Sequence, residues 1–315
     1  MPRLGIIGTF VWDRIHAPED AEGRRGEPHE DWGGIAYSLE AFAAARRDDW
    51  ACLPIAKVGA DAFEPIIQRV SSMDGVASLD GLISVPEQNN TVDLYYSDPS
   101  DRCERLQGGV PGWTWPELER HVSRCDALYV NFIAGWELDL ATAQKMRAAF
   151  DGPVYCDIHS LLLGMTDTGV RVRRALDEWP EWSRCFDFIQ GNEDEIRIVS
   201  GGIDNPAAAV TSLANAGSRA VFATLGANGA AWAAQSDEGA VEAGHVAATT
   251  EWSVSDPTGC GDVWGAACFA SLLSGDAVGE AVARANRMSA AAASRSGTHD
   301  LAASISRESV GSEVS

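Results

Sequence analysis

The feature that most constrains this chain is a repeated alternation of short apolar runs with alanine-rich stretches of helical length. "LGIIGTFV", "ACLPIAKVG", "ALYVNFIAG", "GPVYCDIH", "CFDFIQGN" and "AVFATLG" have the length and composition of strands. Between several of them lie Ile35–Arg46, Leu140–Phe150 and Pro206–Ala216, which read as helices. Strands that alternate with helices predict an α/β fold, a mostly parallel sheet covered on both faces. Ligands in such sheets gather beyond the carboxyl ends of the strands, and the polar residues of interest here sit at the ends of these runs.

Two segments break the alternation. Residues 14–31 are polar and rich in Pro and Gly; residues 88–109 include the strand-like "TVDLYY" and a turn at Asp98-Pro99-Ser100-Asp101. They read either as surface loops or as a small β-sheet covering the site as a lid. After Leu301 the sequence "AASISRESVGSEVS" lacks apolar periodicity and predicts a frayed end. The expected organisation is one domain over residues 1–303, with the two lid segments inserted, and a flexible tail over 304–315.

Charge excludes some partners. Asp and Glu outnumber Lys and Arg by 46 to 24, a formal net charge of -22. Counterion release from nucleic acid needs clustered basic residues, so neither nucleic acid nor an anionic membrane is an expected partner. A small anion held by backbone N–H groups is unaffected by that balance. Seven cysteines occur without a Cys-x-x-Cys pair, and six histidines without a His-x-x-x-His pair, so no zinc-type site is expected. The cysteine usage and the short first apolar run, which lacks a secretory pattern, predict reduced thiols and a cytoplasmic location.

The chemistry concentrates in "SDPTGCGDVWGAAC", Ser255–Cys268. Asp256-Pro257 favours a turn, and Gly259, Cys260 and Gly261 are small enough to admit an anion. A helix beginning here offers unpaired N–H groups and the positive end of its dipole. Asp262 is then either a helix-capping carboxylate or a base beside a site for developing negative charge. Elsewhere, Asn192-x-x-Glu195 at a strand end suits either a hydrated Mg²⁺ or a helix N-terminus. Gly226-x-x-Gly229 suits either a ligand's close approach or a hairpin turn. Asp13 ends the first strand, and Gly33-Gly34 precede a helix, a pairing that suits polyol hydroxyls. No Walker loop is present, and Trp264 stands where a dinucleotide loop needs its third glycine.

In this order the motifs resemble the ribokinase-like, or PfkB, carbohydrate kinase family over essentially the whole chain. The family signature, approximately Asp-Thr-x-Gly-Ala-Gly-Asp, is matched by Asp256-Pro257-Thr258-Gly259-Cys260-Gly261-Asp262. The resemblance implies a three-layer sandwich with a central, mostly parallel sheet and a β-sheet lid. It implies an ATP-dependent, Mg²⁺-requiring kinase with Asp262 as general base and Gly259–Gly261 as the anion hole. It further implies that Asn192, Thr224, Gly226, Gly229 and Asn286 serve the nucleotide, with Glu195 reaching Mg²⁺ through water. Asp13, Gly33, Gly34 and Ser38 would face the sugar, while Asp256 and Thr258 match positions that hold a monovalent cation such as K⁺ in some relatives.

Departures from the pattern concern the acceptor. Ser38 replaces an asparagine common in sugar kinases, His159 follows Asp157 where asparagine is usual, and Cys260, Trp264 and Ala267 replace Ala, Phe and Gly. Cys260 is expected to be a small spacer or an alkylation-sensitive thiol. Trp12, Trp32, Tyr37 and Phe132 leave a nucleoside acceptor open, and only Arg102 and Arg105 offer charge for a phosphorylated one. A non-catalytic sugar or nucleotide sensor is the alternative of another class. Pairing of exposed lid strands between two copies would give a homodimer.

Overall fold

The computed structural model describes residues 1–17, 25–47, 50–98, 101–236, 238–249 and 251–311. Its strands are β1 (Arg3–Ile7), β2 (Phe10–His16), β3 (His29–Gly34), β4 (Ala51–Gly59), β5 (Leu82–Val85), β6 (Thr91–Asp98), β7 (Asp101–Gln107), β8 (Ala127–Asn131), β9 (Val154–Asp157), β10 (Leu163–Met165), β11 (Arg171–Arg173), β12 (Phe188–Asn192), β13 (Ala220–Thr224), β14 (Ala230–Gln235) and β15 (Val241–Val246). Its α-helices are α1 (Ile35–Ala45), α2 (Phe63–Ser71), α3 (Trp115–Val122), α4 (Leu140–Ala149), α5 (Trp179–Ser183), α6 (Glu193–Val199), α7 (Pro206–Asn215), α8 (Cys260–Leu273), α9 (Val278–Ala293) and α10 (Leu301–Gly311).

All six apolar runs supply strands of one nine-stranded sheet, in the order β15-β14-β13-β12-β9-β8-β1-β4-β5. Pairing is parallel from β5 to β13 and antiparallel at β14 and β15. Side chains alternate across it. Leu4, Ile6, Tyr129 and Tyr155 point into a core with α1, α2, α8, α9 and α10. Ile7, Leu128, Val130, Val154 and Cys156 point into a second core with α3 to α7. That period-two division makes the expected three layers.

The two irregular segments meet in a second sheet of order β3-β2-β6-β7, with its own small core of Val11, Ile15, Val92, Leu94, Tyr96 and Leu106. It is the expected lid; the tip at Pro99 and Ser100, and residues 18–24, lie outside the described residues. Both outer strands are tied to the body. Leu106 N–H donates to Gly169 O at 2.9 Å, beside the β10–β11 hairpin, while the Thr298 hydroxyl donates to Trp32 O of β3 at 3.0 Å. Part of each edge that would pair with a second copy is therefore already engaged.

The tail departs from expectation. Residues 301–311 are helical, and α10 packs on α1 with Leu301 and Ile305 buried. The Ala302 N–H also donates to the Glu40 carboxylate of α1 at 3.2 Å. Two apolar side chains four residues apart are enough to seat a short helix, though too few to show as periodicity. Ile305→Ala is expected to cost about 2–5 kcal/mol, read as a lower urea midpoint.

Candidate active site

A cleft of about 540 Å³ opens between the lid and the carboxyl ends of the central strands. Asn131, Asp157, Asn192 and Thr224 end β8, β9, β12 and β13, and all four line it. Gly259 caps α8 at its mouth in the left-handed conformation, φ 74°. That backbone turn sets Gly261 and Asp262 in the first helical turn, facing the cleft. Asp262 Oδ1 accepts a hydrogen bond from Asn131 Nδ2 at 2.5 Å. The same amide nitrogen donates to Ser38 Oγ at 3.0 Å. Behind the turn, Gln190 Nε2 donates to Gly261 O at 2.9 Å and to Asp157 Oδ2 at 3.1 Å, while the Tyr155 hydroxyl donates to Gln190 Oε1. This buried network fixes the turn from below.

Asn192 and Glu195 cap a helix N-terminus at the edge of the cleft. They form a reciprocal capping box on α6, with Asn192 Oδ1 accepting from the Glu195 N–H at 3.0 Å, and both also line the cleft. The Glu195 carboxylate is bound by His159 Nδ1 at 2.6 Å, and His159 Nε2 lies 3.5 Å from Glu104 of lid strand β7. Burial disfavours the imidazolium, but the two carboxylates outweigh it and lift His159 to about 10. Burial raises Glu195 in turn, and His159 overrides that to leave its carboxyl below the usual range. Among the described residues no cluster of three or more His, Cys, Asp or Glu could cage a metal ion. Asp157 and Glu195 fit a Mg²⁺ that keeps water and phosphate oxygens as most of its ligands.

Asp157 is pushed up to about 7, first by burial and then by the charges of Asp262 and Glu195. A carboxyl whose folded pKa exceeds its unfolded value favours the native state when neutral. Its contribution is complete below about pH 4 and is lost as pH rises through 7, at up to about 1.4 kcal/mol per unit. Asp157→Asn is therefore expected to flatten the fall in urea midpoint between pH 5 and pH 8. Equal slopes in both proteins would contradict the burial of this charge.

Other expected site residues lie elsewhere. Asp13, Gly33, Gly34 and Ser38 do not line the cleft; Asp13 and Ser38 are buried, and a Cβ on Gly33 would strike the Asp13 carboxylate. Tyr37 packs on the turn at the start of α8, its ring so close to Gly259 that a Cβ there would lie 2.4 Å from it. Asn286 is spent inside the protein, accepting from Trp264 Nε1 at 2.7 Å and donating to Val246 O and Ala247 O. Thr224 and Gly226 line the cleft. Gly229 instead closes the β13–β14 hairpin, where a Cβ would lie 2.0 Å from Val246 O. Cys260 Sγ is turned toward the Ser289 carbonyl of α9 at 3.7 Å. Thr258 donates its N–H to Asp256 Oδ1 at 2.9 Å, and its hydroxyl pairs with Tyr96 of the lid at 2.9 Å.

Of the aromatic candidates, Trp12 and Trp32 pack edge to face and Phe132 lies in the core. The side chain of Arg102 lies outside the described residues, and Arg105 bonds Thr168 O. Among the described residues the cations lining the cleft are His159, Arg171 and Arg173, with Arg173 paired to Asp194 at 2.6 Å. Arg171 and Arg173 come from a hairpin, β10–β11, that no motif announced. Asn131 was equally missed; a lone amide inside the apolar run "ALYVNFIAG" was its only signal.

The profile of the pfkB family carbohydrate kinases matches residues 166–304. Among curated proteins, none matches. Solved structures that resemble the chain include a ribokinase from Thermotoga maritima, 17% identical, with 98% of this chain and 100% of that one covered at a TM-score of 0.76. A Burkholderia thailandensis nucleoside kinase in complex with inosine is 16% identical, with 98% of each chain covered at 0.75. Arabidopsis thaliana ribokinase complexed with ribose and ATP is 20% identical, with 98% of each covered at 0.69. Among the described residues no helix is long and apolar enough to cross a membrane.

Proposed function

From a chain of ribokinase-like fold whose residues 166–304 match the pfkB family of carbohydrate kinases, we propose an ATP-dependent kinase acting on an alcohol of a small sugar or related polyol. The observation that carries this reading is the Asp262 carboxylate in the first turn of α8, beside the left-handed Gly259 and inside the cleft. A helix cap needs no cleft. A base does, together with a nearby site for negative charge.

Asp262 takes the proton of the acceptor hydroxyl as its oxygen attacks. The N–H groups of the Gly259–Gly261 turn and the dipole of α8 offset charge on the transferring phosphoryl. Mg²⁺, when bound, would be held by Asp157 and Glu195, which line the cleft, and would supply charge to the triphosphate. Chelation is expected to abolish turnover and added Mg²⁺ to restore it, as followed by ADP release. A K⁺ dependence, through Asp256 and Thr258, would be read in the same assay by exchanging K⁺ for Na⁺. The lid excludes water and so limits hydrolysis of ATP.

A polyol suits the cleft better than a nucleoside. Tyr96 is the one Phe, Tyr or Trp lining it among the described residues, and its hydroxyl is tied to Thr258. The deciding experiment is ADP release across pentoses, hexoses, sugar acids, inositols and nucleosides. Acceptor-dependent ADP from a polyol supports the proposal, and from a nucleoside alone it moves the assignment to the nucleoside kinases. Tight ligand binding without any turnover would make the protein a sensor.

A further inference from the structure

We propose that Asn131 seats the acceptor alcohol against Asp262, an inference that rests on the kinase reading. Asn131 is 1% exposed, ends β8 and lines the cleft. Its Nδ2 donates to Asp262 at 2.5 Å and to Ser38 at 3.0 Å, so both amide hydrogens are used. Reversing the amide would set two acceptors 2.5 Å apart, so chemistry fixes its orientation. Oδ1 is then left buried without a hydrogen-bond partner. Such orphans are rare in native proteins, and in this proposal the partner of this one is a donor on the acceptor.

The proton count specifies that donor. In the transfer the acceptor O–H bond breaks and its proton goes to Asp262. The freed oxygen forms a bond to the γ-phosphorus, and the bond from that phosphorus to the bridging oxygen breaks, releasing ADP. The reacting hydroxyl has one proton and Asp262 takes it, so Oδ1 accepts from a second donor on the acceptor, which in a polyol is another hydroxyl. The acceptor is therefore a polyol with a hydroxyl neighbouring the one phosphorylated. Asp13, Gly33 and Gly34 are not among the residues lining the cleft, and Ser38 meets Asn131 through the 3.0 Å hydrogen bond from its amide.

Asn131→Ser is expected to raise the acceptor KM on the order of tenfold to a hundredfold and lower kcat, with the ATP KM unchanged. Because Ser38 Oγ stands 3.0 Å from the amide, adding Ser38→Asn should return an amide to the same space and recover most of the loss. Asn131→Asp keeps the shape of the side chain but sets a second carboxylate on Asp262, and turnover should fall more than in the serine variant. An unchanged acceptor KM in Asn131→Ser, or no recovery in the double variant, would overturn the proposal. Crystals of Asn131→Ser give an independent reading: a displaced Asp262 carboxylate supports the positioning role and an unmoved one defeats it. A wild-type protein inactive with every acceptor would sink the kinase reading, leaving those crystals to decide Asn131.

Discussion

Asp262→Asn is expected to lower kcat by about three to four orders of magnitude while ATP binds nearly as before. The substitution keeps the shape of the side chain and exchanges an ionised acceptor for an amide that takes no proton. It also turns one contact from favourable to contested, because Asn131 Nδ2 now donates to Asp262. Two amides there can still pair if one rotates, so the fold should survive. Nucleotide affinity by calorimetry, beside single-turnover phosphoryl transfer, separates lost chemistry from lost binding. Near-normal turnover would return Asp262 to the status of a helix cap.

Gly259→Ala is expected to damage both stability and turnover. Its φ of 74° lies in the left-handed region, where a side chain costs about 1–2 kcal/mol. The added Cβ would also lie 2.4 Å from the Tyr37 ring, an overpacking that typically costs a further 1–3 kcal/mol or so. Relief by shifting the turn would move the N–H groups at the start of α8, and losing one such donor lowers kcat about 10²–10³-fold in other enzymes. Adding Tyr37→Ala removes the collision but not the backbone strain. The double variant should therefore regain part of its thermal stability relative to Gly259→Ala. Complete recovery of stability would show that strain in the turn contributes little.

Legibility followed burial. β1, β4, β8, β9, β12 and β13 were readable because a strand covered on both faces is apolar at nearly every position. β15 was not: its residues are half-buried or exposed and include Glu242, Gly244 and His245. The β10–β11 hairpin is three residues a side, too short for any pattern. In the cleft, Asn192, Glu195, Thr224, Gly226, Gly259, Gly261 and Asp262 could be found because each sits at a run end or inside one motif. Asn131, Arg171 and Glu104 come from segments far apart in the chain and from three different sheets, and only the packing of those sheets round the cleft brings them together.

The docking of α10 on α1 has a consequence for how the protein emerges from the ribosome. The apolar face of α1 is made early, and the side chains of Leu301 and Ile305 that cover it are made some 260 residues later. At typical rates of about 5–20 residues per second, that face stays bare for many seconds of synthesis. β1 waits as well, since it lies between β4 and β8. A nascent chain of this protein thus carries an apolar α1 face that is covered in turn by α8 and then by α10.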